Sequence, residues 1–174
     1  MKFIFCVKIV ANMAKRIVTK IGDVFCVEID NQCKRYFQYI VNDMEQLNSS
    51  VIRVFKLHYP IDYKPIIDDI VKDEVEFYAH TILKFGVLYD AWYKVGTSKE
   101  FGDFSKVLFR SSADAGNGEM ISERWYVWHI NEPHVYVGKL TKEYQHAERG
   151  GVMSYTSILD RLKYGDYMSK YPGY

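Results

Sequence analysis

Three cysteines, four prolines and a formal charge of +1 leave this 174-residue sequence without several features from which function is most directly read. Cys26 and Cys33 share one stretch, but their C-x6-C spacing fits no zinc knuckle and no histidine lies close by in sequence. A chain of this length buries about 70% of its unfolded surface and needs no disulfide or metal staple. With 23 basic residues against 22 acidic ones, no overall field gathers nucleic acid or anionic lipid. No run approaches the ~20 apolar residues of a membrane-spanning helix. The G-x-S-x-G elbow, the catalytic-cysteine signatures, the P-loop lysine and the dinucleotide-binding glycine spacing are all missing. The glycine-rich stretch "ADAGNGE" reads as a flexible loop instead.

What is abundant is aromatic surface. Fifteen Tyr, ten Phe and three Trp make up 16% of the chain, a composition suited to pleated, half-buried sheet faces and enriched at protein interfaces. From Asp23 the residues alternate, Phe25, Val27 and Ile29 on one face and Val24, Cys26 and Glu28 on the other. A polar break at Asp30-Asn31-Gln32 precedes a second run with Phe37, Tyr39 and Val41 on one side and Tyr36, Gln38 and Ile40 on the other, so a hairpin is predicted. With its turn centred on Asn31, Cys33 lies opposite Ile29, about 10 Å along the strand from Cys26's position. Disulfide partners have Cα atoms within about 7 Å, so these two cysteines read as small packed side chains.

"SSVIRVFKLHY" predicts a third strand ended by Pro60. "DYKPIIDDIVKDE" predicts a short helix, with Pro65 near its start and Ile66, Ile67, Ile70 and Val71 at helical spacing. "EVEFYAHTIL" reads as a strand, Lys84-Phe85-Gly86 as a break, and "VLYDAWYKVG" as another apolar strand closed by Gly96. "KVLFRSS" is short and β-like. "ERWYVWHINEPHVYVGKL" predicts two strands about a turn at Asn131 to Pro133. A last helix in "SILDRLKYGDY" has Ile158, Leu159 and Leu162 on one face and ends at Gly165. The expected fold is β-rich α+β: a curved antiparallel sheet or partial barrel with two short helices against it. Residues 1–12 read as an N-terminal extension ahead of a second start at Met13, and residues 13–174 as a single domain.

Candidate chemistry is sparse. His129, Glu132 and His134 flank a proline turn, not the helix that an H-E-x-x-H zinc motif requires, so no metal site is expected. His58 and His80 lie on predicted strands, where a hydrogen-bonded sheet histidine is the ordinary outcome. Carboxylates and histidines distant in sequence around His80, His129 or His134 could still form an acid–base centre. Between Asp62 and Glu76 six acids face two lysines, a local charge of −4: either a solvated helix face or a docking surface for a basic partner.

The pattern "KIGDVFCVEID…KRYFQYI", "EFYAHTILKFGVLYDAWYKVG" and "SILDRLKYGDY" resembles bacterial immunity proteins of polymorphic-toxin systems, the immunity protein 26 family in particular. The likeness runs over most of the chain from about Lys20, through a glycine-aspartate strand opening, a tryptophan-x-x-valine-glycine strand end and a closing arginine-leucine-x-x-glycine helix. It implies a cytoplasmic, mostly β, non-enzymatic protein without a cofactor, which binds one cognate toxin and blocks its active or functional surface. By that resemblance the partner-binding residues are Asp62, Asp68, Asp69, Asp73, Glu74 and Glu76, with Trp92 and Tyr93 for an aromatic-centred contact. No direct contact with nucleic acid or membrane is expected. The alternative is a small-ligand or nucleic-acid binding module of a β-rich domain.

Overall fold

Strand β1 (Asp23–Glu28) pairs antiparallel with β2 (Cys33–Asp43), placing Cys26 opposite Tyr36 and Glu28 opposite Lys34. The register runs on into the turn, where the Ile29 N–H donates to the Cys33 carbonyl at 3.0 Å. Asp30 closes the turn by accepting from the N–H groups of Gln32 and Cys33, the local bond that makes Asp a turn residue. Cys33 therefore sits opposite Ile29 as the alternation predicts, and Cys26 and Cys33 are free thiols. These elements belong to a computed structural model that describes residues 16–174. The expected extension at 1–12, the start at Met13 and Cys6 lie outside the described residues.

The chain continues through β3 (Ser49–Phe55), β4 (Tyr59–Pro60), a one-turn helix α1 (Ile67–Ile70), β5 (Val75–Thr81), helix α2 (Leu83–Leu88) and β6 (Tyr93–Thr97). Then come β7 (Leu108–Ser112), β8 (Trp125–His129), β9 (Val135–Gly138), β10 (Glu148–Arg149), β11 (Val152–Met153) and helix α3 (Tyr155–Tyr164). The larger sheet has the order β11-β5-β3-β2-β1-β6, with β4 added beside β2; the smaller has the order β10-β7-β8-β9. Most pairs are antiparallel, but β10 joins β7 and β11 joins β5 in parallel. The fold is β-rich α+β, as the sequence implies. Among the described residues it has two sheets in place of the single sheet expected, three helices in place of two, and no closed barrel.

The division follows from apolar residues on both faces of the larger sheet. On one face Phe25, Phe37, Ile52 and Phe77 pack under Leu83 of α2 and Ile158 and Leu162 of α3. On the other, α1 lays Ile70 and Val71 over Val24, Cys26, Tyr36 and Phe55. The rest of that face, at Ile40 and Val51, is covered by Val107, Phe109 and Trp128 of the second sheet and its approach. A sheet buried on both sides needs a layer on each, and one curved sheet would have left one face open to water.

The break expected at Lys84-Phe85-Gly86 is helix, which also takes the first two residues of the segment read as the strand "VLYDAWYKVG", so that strand begins only at Tyr93. Gly86 lies against the Trp92 indole, and a β-carbon there would come within 1.9 Å of the ring. That close approach lets α2 form over the tryptophan, and the Gly86 carbonyl then accepts the Ala91 N–H at 2.7 Å to turn the chain into β6. The terminal helix meets its prediction: the Ser154 side chain caps it by accepting the Ser157 N–H at 3.1 Å, Ile158 and Leu162 are buried, and it ends at Gly165.

Between β10 and β11 the chain crosses from the smaller sheet to the larger through Gly150 and Gly151. A β-carbon on Gly150 would fall 2.1 Å from the Trp128 ring and 2.8 Å from the Arg110 carbonyl. Gly150→Ala is therefore expected to cost about 1–3 kcal/mol, the usual penalty for overpacking a fixed site. A urea midpoint unchanged from the parent protein would show that the seam yields freely.

Candidate interaction surface

The acidic segment lies in the long connection between β3 and β5, and two buried cations fasten it to the sheet. Lys34, on β2, donates from Nζ to the carbonyls of Ile61 and Tyr63, both at 2.7 Å. Arg53, on β3, donates from Nη2 to the Val71 carbonyl at 3.1 Å, just past the end of α1. A buried ammonium or guanidinium needs such acceptors, so the connection is held at both ends by the solvation demand of these charges. The Tyr59 and Tyr63 rings lie tilted against each other, centroids 4.5 Å apart, and the buried Tyr36 meets Tyr59 edge-on at 5.1 Å. Upon this base the polar side chains face outward. Asp62, Asp68, Asp69 and Glu74 are exposed and Asp73 is half-buried.

Apolar side chains stand among these acids. Leu57 is 53% exposed and Ile66 54%, with Ile61 at the margin. The helical spacing in the sequence marks four apolar positions, but one turn buries only Ile70 and Val71 fully, which leaves Ile66 in solvent. Burial, then the negative field of Asp73, with Tyr63 and Asp69, raises the Tyr59 phenol above its ordinary range.

One of the residues assigned to partner contact from the sequence has other work. Trp92 is 1% exposed; its Nε1 donates to the Leu83 carbonyl at 3.0 Å and its ring meets Phe37 edge-on at 5.2 Å. It is a core residue, buried because Gly86 opens a slot for the indole, and cannot touch a partner. Glu76 forms an ion pair with the buried Arg35, which also donates to the Phe55 and Leu162 carbonyls. Tyr93 does face solvent, 46% exposed, with its hydroxyl donating to Glu28 at 2.9 Å. It lies opposite Cys26, on the sheet face that α1 covers. Of the residues expected to contact a partner, Asp62, Asp68, Asp69, Asp73, Glu74, Glu76 and Tyr93 reach solvent, with Leu57, Ile61 and Ile66 beside the acids; Glu74 pairs with Lys56 as Glu76 does with Arg35.

No family model, curated protein or solved structure matches this chain. Among the described residues no helix is long and apolar enough to cross a membrane.

The histidines that could support acid–base chemistry each have a partner of their own. His80 donates from Nε2 to Asp43 Oδ2 at 2.9 Å, and both side chains are fully buried. The imidazole lies against Phe109, ring centroids 4.2 Å apart, in the seam between the sheets. His129 engages the Val107 carbonyl through Nδ1 at 2.9 Å, and the exposed His134 engages Gln46 Oε1 at 2.9 Å. Among the described residues no three His, Cys, Asp or Glu side chains gather as a metal site would require. Burial pushes the Cys26 thiol up, which disfavours the reactive thiolate. Cys33 is half-buried, its sulfur 3.8 Å from Asp30 Oδ2 and 3.9 Å from His58 Nδ1. Burial, followed by the Asp30 charge, raises this thiol too.

Proposed function

We propose that the protein is a non-enzymatic immunity protein that neutralises a cognate protein toxin by covering its active or functional surface. The observation that carries this reading is the ridge between β3 and β5. Acids and exposed aliphatic side chains share one segment there, and buried Lys34 and Arg53 hold its backbone in place. A fixed backbone lowers the ordering cost of association, and acids around an apolar centre suit a partner with a basic surface. A toxin acting on nucleic acid carries such a surface, and the carboxylates would stand where phosphates otherwise lie.

The test is co-expression with the toxin encoded beside this gene, followed by gel filtration of the two purified proteins. Rescue of growth and co-elution are expected. Asp68→Lys combined with Asp69→Lys is expected to weaken the complex by ten-fold or more. Among the described residues no hydrogen bond or ion pair holds either carboxylate, so the reversal should cost only about 1–2 kcal/mol, from placing two cations in the first turn of α1. Absence of rescue by the parent protein would remove the reading. An unchanged affinity of the doubly reversed variant would move the interface elsewhere.

A further inference from the structure

A cleft of about 420 Å³ opens where the edge of the smaller sheet meets α3 and the C-terminal segment. Three arginines line it: Arg110 of β7, Arg149 of β10 and Arg161 of α3. Arg110 and Arg149 are register partners in the parallel pair of β10 with β7, which sets their backbones about 4.8 Å apart. Like charges placed side by side on neighbouring strands are destabilising unless something neutralises them. Among the described residues, neither Arg110 nor Arg149 forms an ion pair with a carboxylate.

Both guanidinium groups are nevertheless held in position. Arg110 donates from Nη1 to the Gln145 carbonyl at 2.8 Å and lies 4.8 Å over the Tyr174 ring. Arg149 donates from Nη1 to the Ser169 carbonyl at 3.3 Å and lies 4.0 Å over Tyr171. The Nε of each is buried without a hydrogen-bond partner, so the Nη groups are the ones left to meet a ligand in the cleft. Arg161 is already engaged, donating to Glu148 at 2.9 Å and to the Tyr167 hydroxyl at 3.0 Å. The two acids on the wall are engaged as well. Glu148 accepts from Arg161 and from the Tyr78 N–H at 3.1 Å, and Asp166 accepts the Tyr167 N–H at 2.7 Å. Three guanidinium charges against two carboxylates leave the cleft cationic, with His146 also on its wall.

We propose that this cleft binds the phosphoryl group of a small phosphate monoester, with Arg110 and Arg149 as its principal donors. A guanidinium fork matches carboxylate and phosphate alike. Two forks from neighbouring strands suit a tetrahedral dianion with three terminal oxygens better than a planar monoanion with two. The cleft is also roomier than one phosphate requires, which leaves space for a small organic group.

The test is thermal unfolding with increasing inorganic phosphate, glycerol 3-phosphate, AMP or succinate, at constant ionic strength set with sodium chloride. A ligand that prefers the folded state must raise the melting temperature. A saturable rise with phosphate or a monoester, exceeding that with succinate, is expected. Arg110→Gln and Arg149→Gln should each weaken apparent affinity ten-fold or more. Should a glutamine variant fail to fold, Arg149→Lys retains the charge without the fork and carries the same expectation. Tighter binding of a monoester than of inorganic phosphate identifies a phosphorylated small molecule, and equal binding identifies the free anion. No saturable rise, an equal rise with succinate, or unaltered affinity in the arginine variants would overturn the assignment.

Discussion

Trp92→Ala is expected to destabilise the protein by about 3–5 kcal/mol, the range for emptying a buried aromatic site. The indole is sealed from solvent, packs edge-on against Phe37 and supplies the Leu83 carbonyl with its hydrogen bond. Truncation leaves a cavity between α2 and the sheet and takes the indole donor away from the Leu83 carbonyl at the helix start. Because a domain of this kind has only about 5–15 kcal/mol of total stability, the variant stands near the limit of folding. Equilibrium urea unfolding followed by circular dichroism reads the loss. A cost below about 1 kcal/mol would mean that the indole does not hold α2 down. Tyr93→Ala, on the solvent side of the next residue, should cost far less, and the contrast separates a packing tryptophan from a surface tyrosine.

An effect of similar size is expected for Asp43→Ala. Its carboxylate accepts from His80 Nε2 at 2.9 Å, Trp128 Nε1 at 3.2 Å, the Asn131 N–H at 3.2 Å and the Gln46 N–H at 3.4 Å. These donors come from both sheets, so one side chain ties β2 and β5 to β8 and the turn that follows it. Removing it strands buried donors, and breaking one side of such a buried group costs about 3–5 kcal/mol. Asp43→Asn should recover only part of the loss, since an amide oxygen accepts fewer and weaker bonds than a carboxylate.

The same pair gives stability a pH dependence of fixed sign. Burial opposes the charge on Asp43, but the hydrogen bonds from His80, Trp128, Gln46 and Asn131 outweigh it and hold the carboxyl below its ordinary range. Burial likewise lowers His80, against the attraction of Asp43. Both shifts are downward, so both make stability fall as the solution becomes acidic. For the histidine the loss begins near pH 6.5, where the unfolded chain takes up a proton that the buried ring resists. The aspartate's share goes only at lower pH, below about 4 and through its depressed folded value. Urea midpoints between pH 7.5 and 5 should decline for the parent protein and less steeply for His80→Gln. Equal slopes would show that His80 takes no part.

Local pattern in the chain disclosed much of this. The alternation around Phe25 and Phe37 specifies the hairpin, its register and its two buried faces, because a strand has only two sides. The spacing of Ile158 and Leu162 does the same for α3. The helix at Leu83 was illegible, since its cause is Gly86 against Trp92, a contact six residues apart whose value depends on the sheet beneath. The acidic segment was visible as a run of charge, but not the way Lys34 and Arg53 anchor it, as both cations are distant in sequence from what they hold. The pairing of Arg110 with Arg149 was hidden for a like reason. A parallel ladder joins residues 39 positions apart, and nothing near either arginine announces the other.

The Gly150–Gly151 crossing has a consequence for how the molecule comes together during synthesis. One stretch, 148–153, supplies the outermost parallel strand of each sheet. Until that stretch leaves the ribosome, the nascent chain carries two unfinished ladders, each able to recruit a stray strand. Both borders are completed by the same short stretch, so neither ladder gains its last strand without the other's being at hand.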